Sequence, residues 1–258
     1  MSFIRAILYY FITATAMVIA GVPYVLIRGG LMGQSQESTK ICVKFFQIMF
    51  KIFGIKLNIV GKENIPETND YVIVANHQSF LDINVIWPGI TSASFIAKGE
   101  LWHIPVFGWV LNHIGCIPVN HKDPRKNAGM GKLVSDRLSK GYTIAVFPEG
   151  HRSADGRMLK FQNGIFRMAK EQHFKILPIT LIGTGDRLSK TRFSLTPGDV
   201  TIVVHPLQKP EDYADKPMND FRDEMHDLIE SALPYKKQEQ DACKQAEAAA
   251  DSAANKEA

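Results

Sequence analysis

Residues Tyr71 to Asp82 read YVIVANHQSFLD: an apolar, β-rich run, then a polar turn carrying His77 and, five residues on, Asp82. The apolar run reads as a buried strand, and the elements on either side of it decide what kind of sheet it belongs to. Two readings fit the turn. Ser79 and Asp82 have the spacing of a capping box at a helix start. Alternatively, His77 and Asp82 form a working pair. On one ideal helix their side chains would diverge by about 140°, so they meet only if His77 stays in the turn and Asp82 opens the helix. There the carboxylate accepts one imidazole N–H and leaves the other ring nitrogen as a general base. With no nucleophile in the same motif, the proton that base takes belongs to a substrate.

Further strands are expected at Lys56 to Val60, Ser94 to Ala97, Gly115 to Val119, Thr143 to Phe147, Ile176 to Ile182 and Val200 to His205. Helical stretches fall between them, at Pro124 to Ser139 and Asn163 to Glu171. Strands alternating with helices predict an α/β fold with a mixed, partly parallel sheet flanked by helices, whose ligands sit beyond the carboxyl ends of strands. A second polar turn, FPEGHRS from Phe147 to Ser153, falls at such an end. Its Pro-Glu-Gly makes a tight turn from which Glu149 and Arg152 project. A guanidinium there suits bidentate phosphate binding; it equally suits an ion pair with Glu149.

The charge is unevenly distributed. Through Lys62 there are Arg5, Arg28, Lys40, Lys44, Lys51, Lys56 and Lys62 against Glu37 alone, while the whole chain carries only +4. The basic excess therefore sits at the N-terminus, interleaved with apolar residues, which points to an anionic membrane surface and away from nucleic acid. Between Arg5 and Arg28 the sequence is uncharged and, as a helix, long enough for roughly 30 Å of hydrocarbon. Ala14-Thr15-Ala16 resembles a signal-peptidase site, but cleavage there would leave an apolar run ahead, so the segment reads as a retained anchor that spans or re-enters, with a kink at Pro23. In the next helix Lys40, Lys44, Gln47 and Lys51 form a narrow stripe beside Phe45, Phe46, Ile48, Met49, Phe50, Ile52 and Phe53, with Gly54 as a stop. The predicted organisation is a two-helix membrane anchor over 1–54, an α/β domain over 55–235 and a disordered or frayed helical tail over 236–258.

Cys42, Cys116 and Cys243 are few and far apart, which suggests neither disulfides nor zinc and fits a reducing, cytoplasmic setting. His103, His113, His121 and His151 lack the spacing of a helical metal site, and no metal is expected.

Taken in order, H-x4-D at His77 and Asp82, FIAKGELWHIPVFGW, GCIPVN, FPEGHRS and ILPIT resemble the motif set of the 1-acylglycerol-3-phosphate O-acyltransferases, from about Ile59 to about His205. The resemblance implies an acyltransferase that moves a fatty acyl group from an acyl thioester, acyl-CoA or acyl carrier protein as co-substrate and no cofactor, to the free hydroxyl of lysophosphatidic acid. Phosphatidic acid for phospholipid biosynthesis would result, at a cell membrane with the catalytic domain facing the cytoplasm. It further implies that His77 is the base, Asp82 its orienting partner, Lys98 and Arg152 phosphate ligands, and Glu149 with Gly150 a structural or binding element of the turn. Two departures stand out. The second motif usually ends in arginine, where this chain has Pro118-Val119-Asn120-His121, so His121 or Lys122 takes that role or leaves it unfilled. The third motif's usual threonine is His151. Another lyso-lipid acceptor, or a catalytically inactive membrane-bound scaffold, therefore stays open as an alternative.

Overall fold

The run Tyr71–Ala75 is a strand with no side chain exposed. Tyr71, Ile73 and Ala75 enter one core cluster, while Val72 and Val74 enter another. Alternation into two cores is what a central strand of a sheet covered on both faces must do, and it explains why the sequence there is continuously apolar. The computed structural model describes residues 1–16, 19, 23, 35–104, 107–153, 155–189 and 191–242.

The elements are α1 (Ser2–Ala16), α2 (Ser35–Phe53), β1 (Ile55–Val60), β2 (Tyr71–Ala75), α3 (Leu81–Gly89), β3 (Ser94–Lys98), α4 (Phe107–His113), β4 (Ile117–Val119), α5 (Met130–Ser139), β5 (Ile144–Val146), α6 (Gly164–Gln172) and β6 (Lys175–Ile182). After them come α7 (Thr184–Arg187), the short β7 (Leu188–Ser189) and β8 (Ser194–Leu195), then β9 (Gly198–Val204), α8 (Pro210–Tyr213) and α9 (Met218–Ser231). Seven strands form one sheet in the order β1-β9-β6-β2-β5-β3-β4, parallel throughout except between β6 and β9. The expected mixed, partly parallel sheet flanked by helices is thus observed, with all strand pairs but one parallel. The carboxyl ends of β6, β2, β5, β3 and β4 consequently lie side by side along one edge.

Two of the expected boundaries change at glycines. The stretch Pro124 to Ser139 is not one helix: a 3-10 turn covers Pro124–Asn127 and α5 starts at Met130, because Gly129 adopts a left-handed φ of 83° between them. The strand predicted from Gly115 begins only at Ile117, since Gly115, at φ 79°, still belongs to the turn leaving α4.

The N-terminal helices pack on the first core. Ala6 and Tyr9 of α1, and Phe46, Met49, Phe50 and Phe53 of α2, are buried in it. The Tyr9 hydroxyl accepts a hydrogen bond from Asn84 Nδ2 of α3 at 2.7 Å. Opposite faces are open: Phe3, Ile4, Ile7, Leu8 and Phe11 of α1, and Ile48 and Ile52 of α2, are exposed, as are Lys40, Lys44, Gln47 and Lys51. Gly54, at φ 70°, stops α2 in the left-handed conformation that favours glycine at that place. Among the described residues no helix is long and apolar enough to cross a membrane. The rest of the run toward Arg28, with the expected kink or re-entrant path at Pro23, lies outside the described residues, as do Cys243 and the tail from residue 243. Residues 234–242 are helical. Cys42 and Cys116 are free.

One buried polar contact makes stability sensitive to acid. Thr180 Oγ1 of β6 donates to Ile229 O of α9 at 2.6 Å, and so accepts from His205 Nε2 at 2.8 Å. Burial holds His205 neutral and pushes its pKa down to about 4, below the roughly 6.5 of an unfolded histidine. Between those values the unfolded chain binds a proton that the folded chain does not, so stability is full above about pH 6.5 and declines as pH falls toward 4. A Tm series from pH 7.5 to 4.5 is expected to fall less steeply for His205→Gln, which keeps a donor but cannot titrate; an unchanged slope would assign the acid sensitivity elsewhere.

Candidate active site

The His77 turn is assembled where β2 runs out of sheet partners. The β2–β5 ladder ends at Val74 and the β2–β6 ladder at Ala75. Beyond them the backbone still needs hydrogen bonds, and side chains supply them. Buried Asn76 continues the ladder toward β6, its amide donating to Leu181 O at 3.0 Å and accepting from Leu181 N at 2.7 Å. On the other side the main-chain N–H of His77 donates to Glu149 Oε1 at 2.6 Å, and Ser153 N donates to His77 O at 3.1 Å.

The His77 ring is held as firmly as its backbone. It stacks on Phe147, with centroids 4.1 Å apart and planes at 15°. Its Nδ1 lies 2.7 Å from Asp82 Oδ2. A carboxylate only accepts, so Nδ1 carries the proton and Nε2 is left with its lone pair. The same Asp82 oxygen accepts from Gln78 N at 2.7 Å and Ser79 N at 2.8 Å. Asp82, fully buried in the first turn of α3, thus binds the histidine and two turn N–H groups with one oxygen. Ser79 Oγ does not complete the capping box; it accepts from Leu81 N and donates to Leu188 O, tying the turn to β7.

The PEG turn hangs from β5. Gly150 N donates to Phe147 O at 3.0 Å, and Gly150 takes φ 77°. A Cβ there would stand 2.4 Å from Gln162 Nε2 and 3.6 Å from His121 Cε1. The positive φ favours glycine there, and His121, which follows β4, faces this turn. Glu149 is buried, its second oxygen accepting from Leu159 N at 2.8 Å. Burial pushes its pKa up to about 7, against the lowering effect of those two N–H donors, with the Asp82 charge adding to the rise.

The cations lie around this centre. Lys98 ends β3 and pairs with Glu100 at 3.6 Å, and Lys122, more exposed, meets the same carboxylate at 3.7 Å. Arg152 is half-buried, and its charge reaches the Tyr10 hydroxyl of α1. The Tyr10 ring packs 5.8 Å from Phe80 of the His77 turn and 5.3 Å from Phe193 of the β7–β8 hairpin. Helix α1 thus borders the site, a contact with no signature in the sequence. A polar cleft lined by Gln78, Ser153, Asp155, Asp186 and Arg192 adjoins it at the end of β6. Of the histidines weighed as metal ligands, His103 and His151 are exposed and His113 lies 3.8 Å from the Trp109 ring. Among the described residues the one cluster of metal-type side chains, His226, Asp227 and Glu230, sits on α9, where Tyr235 and Lys236 already engage Glu230.

Sequence reasoning missed Asn76, Phe147 and Ser153. Asn76 alone carried a signal, an amide directly after an all-apolar strand.

A histidine–carboxylate pair at the carboxyl edge of a largely parallel α/β sheet, with Nδ1 held and cations nearby, has the chemistry to take a proton from a bound hydroxyl through Nε2. The acyltransferase family profile matches residues 56–182, a range that contains every element of this site from β2 to β6. A 1-acyl-sn-glycerol-3-phosphate acyltransferase of Chlamydomonas reinhardtii is 37% identical over 181 residues, 69% of this chain and 53% of that protein. A chloroplastic enzyme of the same name from Arabidopsis thaliana is 38% identical over 152 residues, 58% of this chain and 43% of its own. The crystal structure of the 1-acyl-sn-glycerophosphate (LPA) acyltransferase PlsC of Thermotoga maritima superposes with a TM-score of 0.73 at 28% identity, covering 88% of this chain and 92% of that one. In sequence and in fold the chain is thus similar to 1-acyl-sn-glycerol-3-phosphate acyltransferases. It spans about half the length of the first two relatives.

Proposed function

We propose that this chain transfers a fatty acyl group from an acyl thioester, on CoA or acyl carrier protein, to the free hydroxyl of lysophosphatidic acid, giving phosphatidic acid. The observation that carries the reading is the His77–Asp82 pair with Nε2 open. Nε2 takes the hydroxyl proton as the oxygen attacks the thioester carbonyl carbon. The tetrahedral intermediate collapses with cleavage of the C–S bond, and the imidazolium returns the proton to the departing thiolate. No acyl-enzyme forms, because the nucleophile is the acceptor itself. Lys98 and Arg152 hold the acceptor's phosphate, with His121 or Lys122 standing where the family has an arginine. The test is acyl transfer by the full chain in vesicles to a panel of lyso-lipids, with products read by mass spectrometry. Phosphatidic acid is the expected main product; acylation of another lyso-lipid with lysophosphatidic acid untouched would reject the assignment.

Residues 1–54 serve as the membrane-facing segment, residues 55–235 as the catalytic domain facing the cytoplasm, and residues 236–258 as a tail. The support is the set of exposed apolar side chains on α1 and α2 beside a lysine stripe. Truncation at Ile55 is a poor test. It would remove Tyr9, Phe46, Met49, Phe50 and Phe53 from the core, at about 1.5–3 kcal/mol each, and the remainder should aggregate. Changing Lys40, Lys44 and Lys51 together to Gln leaves the core intact. At about 1 kcal/mol per lysine, binding to anionic vesicles should weaken roughly 100-fold at low salt, and wild-type binding should itself weaken as salt rises. Salt-independent binding, equal in both proteins, would place the attachment elsewhere.

A further inference from the structure

We propose that Glu149 is a positioning residue for the catalytic base, acting through the main chain of His77, and not a ligand of the acceptor. The inference rests on the reading of His77 as the base. At the end of β2 the His77 N–H has no strand partner, and Glu149 Oε1 takes it at 2.6 Å. Oε2 takes Leu159 N at 2.8 Å, so one carboxylate ties the base to the return of the chain toward α6. Both oxygens are committed and the residue is 2% exposed, which leaves nothing of it to face a lipid headgroup. A carboxylate would also repel the acceptor's phosphate.

The neighbouring contacts share this purpose. Ser153 N binds His77 O, Phe147 stacks on the ring, and Asp82 holds Nδ1. Every polar handle of His77 except Nε2 is thereby fixed, three of the four contacts coming from the single turn 147–153. Removal of Glu149 leaves the His77 and Leu159 N–H groups without an acceptor, as removal of Asp82 leaves those of Gln78 and Ser79. Glutamine in its place offers one oxygen and turns an NH2 group toward the other N–H, so the base shifts and the distance between Nε2 and the acceptor hydroxyl is no longer set. Misplacement on the order of 1 Å costs a positioned group up to about 100-fold in rate.

Glu149→Gln should therefore lower kcat by roughly 10- to 100-fold while the KM for the acceptor changes by less than about threefold. In a His77→Ala background the same change should add less than about threefold, because a residue that works only through the base has nothing left to act on. The comparison uses the full chain in vesicles, with far-UV circular dichroism and Tm as folding controls. If the glutamine variant does not fold, Glu149→Asp, which retracts the carboxylate by one methylene, is carried through the same cycle. An acceptor KM raised more than tenfold with kcat retained would overturn the proposal in favour of a ligand role. Equal losses with and without His77 would overturn it in favour of general support of the fold. The kinetics are run on whichever lyso-lipid the wild type acylates, so failure on lysophosphatidic acid rejects the substrate assignment separately.

Discussion

Replacing His77 by alanine is expected to lower turnover by roughly 10²- to 10⁴-fold, the usual worth of a positioned general base, with fold and vesicle binding retained. Retention is expected because the main-chain contacts of His77, to Glu149 and Ser153, survive loss of the ring, and Asp82 Oδ2 keeps its two N–H donors from Gln78 and Ser79. Asp82→Asn makes a contrasting case. The amide oxygen can take the place of Oδ2 and keep all three N–H contacts, which puts a buried NH2 group where Oδ1 has no hydrogen-bond partner, so the loss of rate should be smaller than in His77→Ala. A drop in Tm should therefore accompany the loss of rate in Asp82→Asn but not in His77→Ala. Steady-state rates and melts of the two variants check this, and near-normal turnover of a folded His77→Ala protein would remove the mechanism.

The second large effect concerns the acceptor. A charge-assisted hydrogen bond contributes about 1.5–3 kcal/mol, so Arg152→Ala should reduce kcat/KM for lysophosphatidic acid by roughly 10- to 150-fold. Arg152→Lys should recover only part, because the bidentate fork is lost. Transfer to monoacylglycerol, which lacks the phosphate, should be slow in wild type and little changed in Arg152→Ala. The ratio between the two acceptors should shrink accordingly. Equal slowing of both would make Arg152 a structural residue, held in place beside Tyr10 and the catalytic turn.

Much of the fold and site is legible in the chain because the informative residues are local. The run from Tyr71 to Ala75 is apolar at every position since both faces of β2 are covered, and with the turn signals around it that pattern reads as a buried strand. The turns after β2 and β5 announce themselves by polarity directly after such strands. Their adjacency lies beyond the sequence. No periodicity says that β5 inserts next to β2, yet that neighbourhood brings Glu149 and Ser153 to the backbone of His77.

The N-terminal helices show the same limit. The lysine stripe of α2 is exposed as its spacing implies, but its apolar remainder is divided: Phe46, Phe50 and Phe53 are core, while Ile48 and Ile52 face outward. A hydrophobicity pattern records how many faces of a helix are apolar, and it does not distinguish protein from lipid as the neighbour. The docking of Tyr10 against Phe80 and Phe193 is similarly invisible, since it joins three segments far apart in the chain.

Direct attack of the acceptor hydroxyl on the thioester, with His77 as its base, leaves a stoichiometric trace. Thiol release from acyl-CoA or acyl carrier protein should be followed for the full chain in vesicles, with and without lysophosphatidic acid, alongside the phosphatidic acid formed. Direct attack predicts one thiol per phosphatidic acid and negligible release without acceptor. A stoichiometric burst of thiol in the absence of acceptor, with acyl group retained on the protein, would contradict it.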